Sequence, residues 1–296
     1  KPYMLLIFDN SGSMAGTPLT QAKAAVTNMV SAAGDVIFGL ERFQTSCTGC
    51  TTGSCTWRGC SSGISCPTPS GVYRANEGQI LAGFGEENQA QVLRWVNTTC
   101  AGGDAGADPE LLAVTWTPLH GSLDTALLYY RDGGTWVGTA FSSAIATDPY
   151  RGCRPYFVIM LTDGDETCGG CPQNGATALR STRLTTLPCT TVADCCPAGT
   201  CRTSGAGTPS CVTGRCQYDV QTWDIGFRTA VPYSTMENIA IAGGTDCPGA
   251  NRACYASDQT SLSAALSDIV ASSVLVEICD NVDNDCDGLV DEGFVK

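Results

Sequence analysis

Tyr3-Met4-Leu5-Leu6-Ile7-Phe8-Asp9-Asn10-Ser11-Gly12-Ser13 is the stretch from which the rest of the chain can be read. The apolar run from Tyr3 to Phe8 suits one buried strand and is far too short to cross a bilayer. It ends in a carboxylate, Asp9, followed by hydroxyls at steps of two, Ser11 and Ser13. Such a cluster of hard oxygen donors at the carboxyl edge of a strand suits Mg²⁺, Mn²⁺ or Ca²⁺ rather than zinc or copper. A Ser-Gly-Ser turn alone occurs in many loops, so the reading depends on what completes it.

Two later segments do so. Thr117 lies in Trp116-Thr117-Pro118-Leu119, at the start of an amphipathic stretch, and Asp163 ends a second apolar run, Val158-Ile159-Met160-Leu161-Thr162-Asp163-Gly164. In this order the three segments resemble a von Willebrand factor A domain with its metal-ion-dependent adhesion site. The resemblance covers roughly residues 1–275 and implies that Asp9, Ser11, Ser13, Thr117 and Asp163 hold one divalent cation. It also implies a partner, a protein or surface ligand whose carboxylate completes the coordination. Trp116 departs from the family pattern, which often has a small residue there.

Composition narrows the function classes. A net charge of −13 argues against nucleic acid, whose phosphates need a basic face. With 43% hydrophobic residues and a mean hydropathy of +0.02, the chain can build a core, and no run approaches the ~20 apolar residues of a membrane span. Nineteen cysteines beside one histidine favour disulfides over zinc, although Cys47/Cys50 and Cys168/Cys171 have knuckle spacing. An oxidising, extracellular location follows. An odd total leaves one thiol free or paired outside the chain, and the Lys1 start reads as a mature or trimmed product.

Along the chain, apolar runs predict strands at 3–8, 36–43, 156–162, 218–227 and 253–256. Helical spacing predicts helices after Thr17, over 86–96, from Thr117 to Tyr130, over 236–242 and over 260–272. Strands alternating with helices imply an α/β fold, a doubly wound and mostly parallel sheet flanked by helices, whose ligands bind beyond the carboxyl strand ends. Cys-rich inserts are expected at about 45–70 and 165–216. The first has almost no aliphatic residues and must be held by disulfides.

Residues 154–168, Ile239–Thr245 and Cys254–Asp258 further resemble PilY-type adhesins of type IV pili. That resemblance implies an amino-terminal A domain at a pilus tip, with minor pilins or further domains of the same protein as partners. A second cation motif closes the chain at 276–296. Asp283, Asp285, Asp287 and Asp291 occupy positions 1, 3, 5 and 9 of a calcium loop, with Gly288 at 6 and the Leu289 carbonyl at 7. Phe294 stands where a bidentate Glu is expected at position 12, so Asp291 or Glu292 would close the sphere, as in loops resembling thrombospondin type 3 or MopE-type repeats. Cys279 and Cys286 are expected to bridge each other. Residues 277–292 hold seven acids and no Lys or Arg, about half of the excess negative charge.

An enzyme is disfavoured. His120, three residues after Thr117, would have to activate Ser11 or Ser13, whose hydroxyls are committed to the cation. Gly59-Cys60-Ser61-Ser62-Gly63 matches a nucleophile-elbow string but lacks a strand before it and a helix after it. The leading expectation is a metal-dependent adhesion module. The alternatives are a disulfide-stapled structural element of a pilus or cell surface and, less favoured, a cation-assisted hydrolase.

Overall fold

The structure, a computed structural model, describes residues 1–44, 50–51, 54–55, 77–97, 110–113, 115–229, 232–279, 281, 283–286 and 289–294. In chain order its elements are β1 (Tyr3–Phe8), α1 (Thr17–Ala32), β2 (Ile37–Phe43), β3 (Cys50–Thr51), β4 (Ser54–Cys55), β5 (Gly78–Ala82) and α2 (Gln89–Val96). There follow α3 (Leu119–Arg131), β6 (Gly133–Trp136), β7 (Thr139–Ser142), β8 (Tyr156–Thr162), α4 (Pro172–Leu179) and β9 (Thr182–Pro188). Last come β10 (Pro209–Val212), β11 (Arg215–Tyr218), β12 (Val220–Phe227), α5 (Ser234–Gly243), β13 (Cys254–Ala256) and α6 (Gln259–Ser273). The first Cys-rich insert, including the Gly59–Gly63 string, lies outside the described residues apart from the β3–β4 pair.

Six strands form the main sheet in the order β13-β12-β8-β1-β2-β5, parallel throughout except for β5, which runs antiparallel at one edge. Chain order reverses beside β1, so the carboxyl ends of β1 and β8 flank the crevice where a doubly wound sheet binds ligands. Both strands are buried on both faces, which is why they read as unbroken apolar runs. On β1 the alternation sends Met4, Leu6 and Phe8 into one core layer, packed under α1, α2 and α6. Leu5 and Ile7 face the other layer, under α3, α4 and α5.

The predicted strands and helices are present, with ends displaced by a few residues. The second expected insert is shorter than read. Its first part forms α4, which packs between α3 and α5 in the helical layer. Gly175 permits that packing, because a Cβ there would lie 2.7 Å from the Leu123 Cβ. The remaining part is a three-stranded sheet, β10-β11-β9, stapled by Cys189–Cys211, Cys195–Cys216 and Cys196–Cys201. No described helix is long and apolar enough to cross a membrane.

Candidate metal centre

The first loop starts where β1 stops. Asp9 is fully buried and its backbone N–H still donates to the Leu161 carbonyl at 2.9 Å, so the end of β1 is registered on β8. One carboxylate oxygen, Oδ1, accepts the Ser11 N–H at 2.7 Å; the other, Oδ2, accepts the Thr162 hydroxyl at 2.6 Å. The Ser11 and Ser13 hydroxyls lie 2.9 Å apart, and Ser13 Oγ donates to Asp163 Oδ1 at 2.7 Å. Asp9, Ser11, Ser13 and Asp163 therefore form one continuous cluster, drawn from the carboxyl ends of two adjacent strands.

The second loop is zipped onto the first. Gly12 N–H donates to the Thr115 carbonyl at 3.0 Å and Thr115 N–H to the Asn10 carbonyl at 3.2 Å, a short parallel bridge between Ser11 and Thr115. Thr117 is held to the third loop through both its backbone N–H and its carbonyl. Its N–H donates to Thr167 Oγ1 at 2.7 Å, and the Thr167 N–H donates to its carbonyl at 3.0 Å. Its hydroxyl faces the Asp163-Gly164 turn, 3.8 Å from where a Gly164 Cβ would sit. Glu166 caps α3: Oε2 accepts the His120 N–H at 2.8 Å, while Oε1 accepts the Cys168 N–H at 2.6 Å. A carboxylate at a helix N-terminus is favoured by the unpaired N–H groups and the helix dipole. All five residues read from the sequence thus meet around one crevice. Thr162, Thr167 and Glu166 are supports that no motif in the sequence singles out; only their position beside the Asp163-Gly164 turn points to them.

Electrostatically the crevice is one-signed. Burial raises the Asp9 carboxyl to about 6, against hydrogen bonds from Ser11 and Thr162 that lower it, and the Asp163 charge pushes it further up. Burial also raises Asp163, opposed by Ser13. Two carboxylates facing each other with three hydroxyls, and no lysine, arginine, thiol or imidazole in the set, suit a hard divalent cation. His120 is a structural residue: it is buried, its Nδ1 accepts the Cys171 N–H at 3.1 Å, and its Nε2 lies 3.9 Å from Asp124. Trp116 stands at the rim, 48% exposed.

At the carboxyl end of the chain, oxygens of Glu277, Asp283 and Asp285 lie within 4.8 Å of one another. Glu277 was not foreseen as a member of this group. Its carboxylate accepts the backbone N–H groups of Asn284 (2.8 Å), Asp285 (3.1 Å) and Asp291 (3.0 Å), so the loop is wound around it. Asp291 Oδ1 accepts the Asn281 N–H at 2.9 Å. Leu289 is exposed, and Asp287 lies outside the described residues. The expected Cys279–Cys286 bridge is not formed: Cys286 pairs with Cys153, across a separation of 133 residues, and Cys279 is an exposed free thiol. The loop turns Cys286 inward against the body of the domain, where Cys153 precedes β8 and Cys153 Sγ contacts the Asp283 carbonyl at 3.9 Å. Cys168 and Cys171 are likewise in disulfides, which removes one of the two zinc-knuckle candidates.

No family model matches the chain, and no curated protein matches it. Among solved structures it is similar to proximal thread matrix protein 1 from the mussel byssus, with 14% identity over 95% of this chain and 50% of that one, at a TM-score of 0.49. It is similar to a von Willebrand factor type A structure from Catenulispora acidiphila, with 15% identity over 94% and 44% of the two chains and a TM-score of 0.48. The von Willebrand domain of the type V pili tip protein Mfa5 from Porphyromonas gingivalis is also similar, with 12% identity over 92% and 94% and a TM-score of 0.44. The chain spans about half the length of the byssus protein it matches. By its own strand order, its antiparallel edge strand and the loop that closes β1 beside β8, the chain has the fold of a von Willebrand factor A domain.

Proposed function

We propose that the chain is an extracellular, metal-dependent adhesion module whose cation is held by Asp9, Ser11, Ser13, Thr117 and Asp163. The observation that carries this reading is the hydrogen-bonded run Asp9–Ser11–Ser13–Asp163 in a crevice with no basic side chain in the donor set. Bound there, Mg²⁺, Mn²⁺ or Ca²⁺ would offset the two carboxylates and supply a Lewis-acidic position to a partner's carboxylate. The protein's own part is to hold the donors ready. Thr162 and the Ser11 N–H fix the Asp9 carboxylate, while Thr167 and the strand-like contact at Thr115 fix the Thr117 loop. Trp116, exposed beside Thr117, offers the partner an apolar contact at the rim.

The acidic segment 276–296 acts as a second, calcium-binding motif, with Glu277, Asp283 and Asp285 at its centre and Asp287, Asp291 and Glu292 as further acids of the loop. Its link to Cys153, ahead of β8, sets it at the amino ends of the parallel strands, opposite the adhesion crevice. A calcium-stiffened loop at that pole suits a junction to a neighbouring domain of a pilus-tip adhesin, with minor pilins as further partners. The disulfides Cys189–Cys211, Cys195–Cys216 and Cys196–Cys201 fit export through an oxidising compartment. The direct test is binding of the intact chain to pilin or host surface in Mg²⁺, after EDTA, and with Asp163→Ala. Loss in both arms is expected; retention in both would favour a structural element with a purely structural cation.

A further inference from the structure

In a chain of net charge −13, three arginines converge on one open groove of 690 Å³. The groove lies between the last turn of α3, the end of α4 and the sheet β10-β11-β9. Arg131 comes from α3, Arg183 from β9 and Arg215 from β11. Arg183 is opposite Gln217 in the β9–β11 register, the pairing shifts between Arg215 and Gln217, and all three arginine side chains line the same groove. The platform is stiff, being stapled by Cys189–Cys211 and Cys195–Cys216.

The positive charge is only partly answered. Arg131 Nε donates to Asp132 at 2.6 Å, and the Thr185 hydroxyl donates to the other oxygen of Asp132 at 2.7 Å. Arg183 donates to the Thr213 hydroxyl at 2.8 Å, a neutral partner. The Arg215 side chain makes no ion pair or hydrogen bond among the described residues. Arg183 and Arg215 thus meet no carboxylate among the described residues, and each guanidinium is a planar fork matched to oxoanions. Between the charges lie hydroxyls and the Gln217 amide, over an apolar floor that includes Leu127 and Ala178.

We propose that this groove binds an acidic polysaccharide. The guanidiniums would take its carboxylate or sulfate groups, the hydroxyls and Gln217 its sugar hydroxyls, and the apolar floor its C–H faces. Among the described residues the lining sets guanidiniums among hydroxyls and an amide, the donors and acceptors that sugar hydroxyls pair with, and a recessed surface does not suit a flat membrane. The site is separate from the adhesion crevice. That crevice adjoins the amino end of α3, and the groove adjoins the carboxyl end, about 18 Å away at 1.5 Å per residue.

The test is calorimetric binding of the intact chain to dextran sulfate and to oligogalacturonate, in EDTA, with neutral dextran and poly-Glu as controls. Both acidic saccharides should bind and neutral dextran should not, with affinity falling as salt rises. Arg215→Gln should weaken binding about tenfold and Arg183→Gln/Arg215→Gln further, at unchanged melting temperature. Asp9→Ala should bind as the parent does, so failure here is distinguishable from failure of the adhesion reading. Unaltered affinity in the double variant, absence of binding to either acidic saccharide, or equal affinity for poly-Glu would each overturn the proposal.

Discussion

Replacing Lys23 by Met should destabilise the protein by about 3–5 kcal/mol, because it strands a buried charge. Lys23 on α1 and Glu110 form an ion pair whose side chains are 5% and 4% exposed, and Lys23 also donates to the Leu111 carbonyl. The second oxygen of Glu110 has no hydrogen bond among the described residues, so nothing else there supports the carboxylate when the ammonium is removed. For 296 residues, an unfolding entropy of about 2.1 cal/mol/K per residue converts that loss into a fall in Tm of roughly 5–8 °C. The pair matters beyond stability because Glu110 begins the segment that carries Thr117. That segment is also tied by Leu111 N–H to the Trp95 carbonyl and by Asn10 Nδ2 to the Leu112 carbonyl. Scanning calorimetry of Lys23→Met, Glu110→Leu and the double variant separates the terms. Each single variant should fall by several degrees, whereas the double variant, with no stranded charge, should recover most of the loss. A single variant within about 1 kcal/mol of the parent, or a double variant losing the sum of both, would show that neither substitution strands a buried charge.

Further outcomes follow from other buried or exposed groups. Asp224 is 1% exposed, with neither oxygen hydrogen-bonded among the described residues; burial, then the Glu237 charge, holds its carboxyl well above the ordinary range. A raised folded-state pKa means the stability is present below the unfolded value of about 3.8 and lost as pH rises towards the folded one, so the Tm advantage of Asp224→Asn should widen upward from pH 4. A gap independent of pH would contradict this. Calcium at about 100 times its dissociation constant should add about 2.7 kcal/mol to the parent and little to Glu277→Gln; equal shifts would remove Glu277 from the site. Maleimide labelling followed by peptide mapping should modify Cys279 and recover Cys153 linked to Cys286, and a Cys279–Cys286 peptide would contradict the pairing.

Much of the domain can be read from its residues because its central strands are buried on both faces. β1 and β8 declare themselves as apolar runs, and the acids that close them fall where a parallel sheet exposes its carboxyl ends. What escaped depends on tertiary context. β5 is a five-residue edge strand, Gly78–Ala82, whose alternating burial over so few residues gives little periodic signal. α4 hid among cysteines because its packing face is small, built around Gly175, Ala176 and Leu179. The partner of Cys286 lay 133 residues away, where spacing along the chain carries no information. At the site the loops that carry Asp9, Ser11, Ser13, Thr117 and Asp163 were legible, but Thr162, Thr167 and Glu166 act through hydrogen bonds that only the folded backbone brings into reach.

If Asp9, Ser11, Ser13, Thr117 and Asp163 hold one divalent cation, the number of bound Mn²⁺ ions counted by electron paramagnetic resonance must fall when one of them is removed. Asp9→Ala, folded as judged by its near-ultraviolet circular dichroism, should bind one Mn²⁺ fewer than the parent, and Glu277→Gln should retain the ion that Asp9→Ala loses. Equal stoichiometry and affinity in the parent and Asp9→Ala would contradict it.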